Sequence, residues 1–114
     1  MKYNTFIDNK PWGTNVHLVA KDGLSFGGIE LLNDEPDNAY IYGIFVHESI
    51  RHQGRGTELL KALEEYVKGS TKCSLITLNA EQGDNSEWYT RHGYTLVEFD
   101  VDTMMNLFTK AITR

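Results

Sequence analysis

The residues in this 114-residue chain with the clearest chemical use are Arg51-His52-Gln53-Gly54-Arg55-Gly56. An apolar run, Ile41 to Val46, and a short polar segment, His47 to Ile50, precede them. Thr57-Glu58-Leu59-Leu60-Lys61-Ala62-Leu63 follows directly. The first N–H groups of a helix have no intrahelical acceptor, and the helix dipole places partial positive charge there. Glycines remove the Cβ that would hold a ligand off the backbone. Strand, glycine loop and helix in that order suit the cradling of a phosphate. Arg51 and Arg55 add charge that could offset an anion. The spacing restricts the kind of phosphate site. No Gly-x-x-x-x-Gly-Lys-Ser/Thr string is present. Leu59 stands where a Gly-x-Gly-x-x-Gly dinucleotide fingerprint needs its third glycine. The plainer reading is a structural turn with a solvated arginine pair.

The elements that must hold this loop can be read from periodicity. Leu59, Leu60, Leu63, Tyr66 and Val67 form one helical stripe, with Gly69 as the expected stop. Cys73 to Leu78 is a short β-type run. Strand, helix and strand of these lengths make a βαβ unit, so Ala39–His47 and Cys73–Leu78 are expected to be parallel neighbours. Upstream, Lys2 to Ile7 is a candidate strand and Pro11-Trp12-Gly13 a loop. Asn15 to Lys21 buries either Val16, Leu18 and Ala20 or His17 and Val19. Asp22-Gly23 is a hairpin signal. Leu24 to Leu32 is its partner strand, with Gly27-Gly28 suggesting a bulge or a close backbone approach. Downstream, Asp84 or Asn85 is expected to cap a short helix ending at His92-Gly93. Tyr94–Val101 alternates as a strand, and Met104–Ile112 fits helix and strand alike, with a strand preferred because a hairpin would give both segments a partner.

Composition sets bounds. Hydrophobic residues are 40% and charged residues 24% of the chain, enough for one domain over 1–114 with a single core. A net charge of −5 argues against a broad nucleic-acid footprint and would suit a cationic acceptor. The single cysteine, Cys73, rules out an intrachain disulfide and a multi-cysteine metal site, and His17, His47, His52 and His92 lack metal-type spacing. The expectation is a protein without a metal. No run of apolar residues is long enough for a membrane span, and the first ten residues lack a signal-peptide core. A cytoplasmic location is the corresponding expectation.

Val46, Arg51, Gly54 and Gly56 resemble the acetyl-CoA pyrophosphate loop of the GNAT-type N-acetyltransferases, roughly Val-x-Pro-x-x-Arg-x-x-Gly-x-Gly/Ala, with Glu48 where proline is common. Trp88-Tyr89-Thr90-Arg91-His92-Gly93-Tyr94 is similar to the family's aromatic-Tyr-Glu-Lys-x-Gly-Phe segment, in the right order and separation. The resemblance covers roughly Val16 to Tyr94. It implies an α/β (α+β) fold with a mixed, mostly antiparallel sheet, a splayed central parallel pair and flanking helices. It also implies acetyl-CoA as co-substrate. Ile44, Phe45 and Val46 would contact the pantetheine arm. Main-chain N–H groups of Gln53, Gly54, Arg55 and Gly56, with Thr57 opening the helix and Arg51 flanking, would hold the pyrophosphate. Asn79, Gln82 and Asn85 lie around the position of the family's pantetheine-contacting Asn. Most members carry two helices between the first two strands, forming one wall of the acceptor site. The room from Ile7 to Asn15 is too short for them. The acceptor side is then unusually open, completed by a partner subunit such as a second copy, or lost.

The implied reaction moves acetyl from the thioester to an amine, which must be neutral to attack, while the leaving thiolate benefits from an acid. Tyr89 matches the family position for that acid; its plainer role is a core aromatic beside Trp88. For the base, His47 just after the splayed strand and Glu81 near a strand end are the candidates, with Glu30 and Glu48 behind them. Tyr40 and Tyr42 share a face of one strand and could line the acceptor side. The reading is an acetyl-CoA-dependent N-acetyltransferase working by direct transfer in a ternary complex on a primary amine of a small molecule or protein. An acyl-CoA-binding regulatory module with little catalysis is the alternative.

Overall fold

Two tight turns organise the first third of the chain. In the computed structural model, which describes residues 2–114, Pro11-Trp12 joins Tyr3–Lys10 (β1) to Gly13–Ala20 (β2). Asp22-Gly23, with Gly23 at φ +75°, turns the chain from β2 into Ser25–Leu32 (β3). The pairs are antiparallel and in full register, from Tyr3↔Ala20 to Lys10↔Gly13 and on into Gly13↔Leu32. Val16, Leu18 and Ala20 are the buried set of β2, which decides the phase that the sequence left open. Asn38–Val46 (β4) completes the meander, and its register with β3 slips between Gly28 and Ile29, the bulge expected at the glycine pair.

The helix Arg55–Ser70 (α1) starts inside the Gly-x-Gly motif and buries Leu59, Leu60, Leu63 and Val67. Each fully buried aliphatic side chain of this kind contributes roughly 1.5–3 kcal/mol, so the stripe anchors the helix to the sheet. Gly69 does not stop it. The helix runs on to Ser70, and Thr71 ends it, donating from its N–H and its hydroxyl to the Val67 carbonyl. Cys73 is buried but lies before the next strand, Leu75–Glu81 (β5). The short helix Asp84–Arg91 (α2) has Gly83 as its N-cap with no side-chain cap, so neither Asp84 nor Asn85 takes that role. Thr95–Asp100 (β6) and Met105–Ala111 (β7) form the expected hairpin, and β7 also pairs with β5.

The result is one seven-stranded sheet in the order β1-β2-β3-β4-β5-β7-β6, antiparallel except for β4 and β5. Register places Ile29, Ile41, Leu78 and Phe108 on one face, and these pack in one cluster with the buried residues of α1. Tyr89 of α2 packs on Phe108, so both helices lie on that face. Among the described residues no helix covers the other face, and none is long and apolar enough to cross a membrane.

Candidate functional site

The parallel pair sets the geometry of the site. Only Asn38–Ile41 of β4 pair with Leu75–Leu78 of β5. Beyond those four positions β4 continues to Val46 and β5 to Glu81 without pairing to each other, and the two strands part. On the helix-free face two side-chain hydrogen bonds tie the strands together up to that point. Thr77 Oγ1 donates to Asn38 Oδ1 at 2.5 Å, and Asn79 Nδ2 donates to Tyr40 Oη at 2.9 Å. The backbone groups of β4 that face β5 past Ile41 therefore have no strand partner, and polar groups left in that state seek one.

A cleft of about 1040 Å³ opens from this gap. Ile44, Phe45 and Val46 of β4 line one side, and Asn79, Ala80 and Glu81 of β5 the other. Asn85, Trp88 and Tyr89 of α2 form the far wall. Arg51, His52, Gly54, Gly56 and Thr57 close the end at the start of α1. Here Gly54 adopts φ +80° as N-cap, a left-handed conformation that glycine takes without strain, and the helix has no side-chain cap. The first intrahelical bond runs from the Glu58 N–H to the Gly54 carbonyl at 3.0 Å. The N–H groups of Arg55, Gly56 and Thr57 precede it and are donors without intrahelical partners. A Cβ built on Gly54 meets nothing within 4 Å, and one on Gly56 would come to 3.6 Å from the Trp88 ring. This end therefore presents backbone donors without intrahelical partners behind a low wall. A 3₁₀ turn, Glu48–Ile50, carries the chain from β4 into the loop, and Arg51 folds back so that its Nε donates to the Val46 carbonyl at 3.0 Å.

The residues expected at the site divide into two groups. Ile44, Phe45, Val46, Arg51, Gly54, Gly56, Thr57, Asn79, Glu81, Asn85 and Tyr89 come together around the cleft. Gln53, Gln82 and His47 are not among its lining residues. His47 instead caps the 3₁₀ turn, its Nδ1 accepting from the Ser49 N–H at 3.1 Å. Arg55 lines the cleft, but its guanidinium is directed to Asp22 at 3.0 Å and Ser25 at 3.3 Å, with the side chain only 13% exposed. That hydrogen bond and charge hold the Asp22 carboxyl below its ordinary range and raise Arg55. Its contribution to an anion is thus its backbone N–H rather than its charge. Tyr89 is packed edge-on against Trp88 and Tyr94, at 5.0 and 5.7 Å between ring centres, and burial pushes its phenol up from the ordinary value. A phenol raised in this way holds its proton near neutrality, as a proton donor must.

Sequence reasoning did not find the contacts that link the cleft wall to distant segments. His92 Nε2 lies 3.1 Å from Thr57 Oγ1, and the Trp88 ring stands against Gly56. Their partners are more than thirty residues away, and no local pattern encodes them. Among the described residues no group of His, Cys, Asp or Glu is arranged to hold a metal.

A family model identifies the family, and solved structures share the fold. A family model described as an acetyltransferase (GNAT) domain matches residues 13–96. An acetyltransferase from Bacillus cereus is 27% identical, covers 85% of this chain and 72% of its own, and superposes with a TM-score of 0.72. The PaiA N-acetyltransferase from Thermoplasma acidophilum, solved in complex with coenzyme A, is 16% identical over 85% of this chain and 59% of its own, with a TM-score of 0.68. The N-acetylglutamate synthase from Neisseria gonorrhoeae, complexed with coenzyme A and N-acetyl-glutamate, is 14% identical over 88% of this chain and 26% of its own, with a TM-score of 0.72. No curated protein sequence matches.

Proposed function

The chain belongs to the GNAT acetyltransferase domain family, and from that premise we propose that it moves an acetyl group from acetyl-CoA to a primary amine of a small molecule or protein by direct transfer. The observation that carries the proposal is the cleft itself. It joins an uncapped helix start to a strand edge that has lost its partner, at the point where β4 and β5 part. A ligand that is anionic at one end and amide-bearing along its length meets suitable groups at both places.

The residues present fit acetyl-CoA. The N–H groups of Arg55, Gly56 and Thr57 point their donor capacity at the pyrophosphate end, and Arg51 stands beside them. The open edge of β4 from Ile44 to Val46 takes the pantetheine amides as a neighbouring strand would, and Asn79 and Asn85 border the same path. When bound, acetyl-CoA supplies the activated thioester. Tyr89, kept protonated by burial, donates to the departing thiolate. Glu81 is the candidate base that borders the cleft, and it takes the amine proton directly or through water. His47 holds its turn and is the weaker candidate. The acceptor approaches from the helix-free face, where the Pro11-Trp12 turn stands in place of the helix pair usual in the family. That same bare face favours the second reading, a CoA-binding module with little catalysis, since one wall of the usual acceptor pocket is missing.

Calorimetric titration of acetyl-CoA separates the readings when paired with two variants. Gly54→Glu is expected to abolish micromolar binding by blocking the cradle with bulk and charge. Tyr89→Phe is expected to bind normally and to slow amine acetylation by about 10²-fold or more. Binding without turnover on any amine, in wild type and Tyr89→Phe alike, would select the binding module. Absence of binding to wild type would remove both.

A further inference from the structure

We propose that His92 is a positioning residue for the phosphate end of the cleft, setting whether the Thr57 hydroxyl can donate a hydrogen bond to an anion. The inference rests on the reading that this cleft takes coenzyme A. It starts from two hydrogen bonds. His92 Nδ1 lies 2.7 Å from the Trp88 carbonyl oxygen. A carbonyl can only accept, so Nδ1 carries the proton in the neutral ring. Nε2 is then a bare acceptor, and the Thr57 hydroxyl, 3.1 Å away, must donate to it. Thr57 is the third residue of α1 and borders the cleft beside Gly56. With its hydrogen spent on His92, the hydroxyl turns only lone pairs towards an incoming phosphate oxygen.

Protonation of His92 reverses the bond. Nε2–H donates to Thr57 Oγ1, the hydroxyl hydrogen is released to point into the cradle, and the ring adds a positive charge to the same wall. The ring cannot easily turn to avoid this, because it packs tilted against Trp88 at 4.2 Å between centres and is held at both nitrogens. The charged groups around it come from three elements. Lys110 of β7 donates to the His92 carbonyl at 2.9 Å, Glu64 of α1 pairs with that ammonium at 3.0 Å, and Arg91 precedes His92 on α2. The lysine and glutamate oppose one another, which leaves the ligand phosphate as the group that gains most from the imidazolium. Linkage then requires that phosphate binding and protonation of His92 favour one another.

The test uses dephospho-CoA, whose diphosphate keeps its charge between pH 5.5 and 8.0, whereas a phosphomonoester titrates there. Affinity would be measured by calorimetry at both pH values for wild type, His92→Gln and Thr57→Val. His52 also borders the cleft and is unchanged in all three, so any dependence it causes persists throughout. Wild type is expected to bind about five- to tenfold tighter at pH 5.5 than at pH 8.0 beyond whatever dependence His92→Gln retains, and Thr57→Val is expected to keep only the part owed to the imidazolium charge. A purely structural role would lower the affinity of the variants by the same factor at both pH values, and an identical pH dependence in wild type and His92→Gln overturns the inference. Should wild type bind neither CoA nor dephospho-CoA at any pH, the functional reading falls and takes the inference with it.

Discussion

On the helix side of the sheet Val16, Ile29, Ile76, Leu78 and Phe108 are at most 2% exposed, whereas on the other side Phe6, Phe26, Tyr42 and Phe45 remain between 41% and 55% exposed. β3 carries members of both sets, Phe26 and Ile29, an odd number of residues apart and so on opposite faces. The helix side is filled by long-range packing under α1 and α2. The bare side substitutes contacts within the sheet. Phe26 stacks on Phe45 at 5.0 Å, and the Tyr42 ring lies over Gly28 to reach His17 at 3.0 Å. One face makes the molecule fold, and the other is available for whatever the molecule meets. A sheet that keeps large aromatics in water on one side must draw its stability from the opposite side.

This contrast can be broken most sharply by truncation. Leu63→Ala, under α1, is expected to lower unfolding free energy by about 2–5 kcal/mol, while Phe26→Ala is expected to cost about 1 kcal/mol or less. Urea denaturation of both checks the difference, and equal losses would mean that the bare face is structural too. A smaller effect sharpens the picture at Gly28. A Cβ there would sit 2.4 Å from the Tyr42 ring, so Gly28→Ala must displace Tyr42 from His17, at about 1–3 kcal/mol. Much of that loss should vanish in a Tyr42→Ala background, and a double-mutant cycle reads the coupling. The smallest effect lies at the edge of the covered face. Arg55 holds the Asp22 carboxyl below its ordinary value, so the pair adds stability at pH values above the ordinary carboxylate range of about 4. That stability is lost as pH falls through the lowered folded-state value. Asp22→Asn should therefore melt slightly below wild type at pH 7, with the gap closing in acid.

What the sequence made legible follows the same division. The α1 stripe was readable because burial imposes a period on the chain, whereas the period of Asn15–Lys21 left two burial phases open and that of Met104–Ile112 fitted helix and strand alike. The Gly27-Gly28 bulge was readable because glycine pairs in strands mark it. The turn from Arg51 to Gly56 into α1 was readable because its glycines lie between an apolar run and a helical stripe. Gly69 misled because buried neighbours at Leu63 and Val67 outweigh one unfavourable residue in a helix. Arg55 misled because its partner, Asp22, is thirty-three residues away and becomes its neighbour only once β3 and α1 pack. The Thr57–His92 bond is hidden for the same reason. His47 carried a residue type suited to a base, but local geometry gave its imidazole a turn to cap.

The short ladder between β4 and β5 has a bearing on the order in which the molecule comes together. The turns at Pro11-Trp12 and Asp22-Gly23 and the hairpin of β6 and β7 close small loops, whereas each of the four rungs from Asn38↔Leu75 to Ile41↔Leu78 joins residues 37 positions apart. Contacts of long sequence separation pay more loop entropy and form later. The meander and the terminal hairpin are thus expected to assemble first, as two separate pieces. β5 adds to the hairpin through β7, and the seam between β4 and β5 then closes, with Thr77–Asn38 and Asn79–Tyr40 as its last fastenings. The cleft exists only once that seam has closed, so an inhibitor of folding that leaves each half intact would still leave the protein without a place for its ligand.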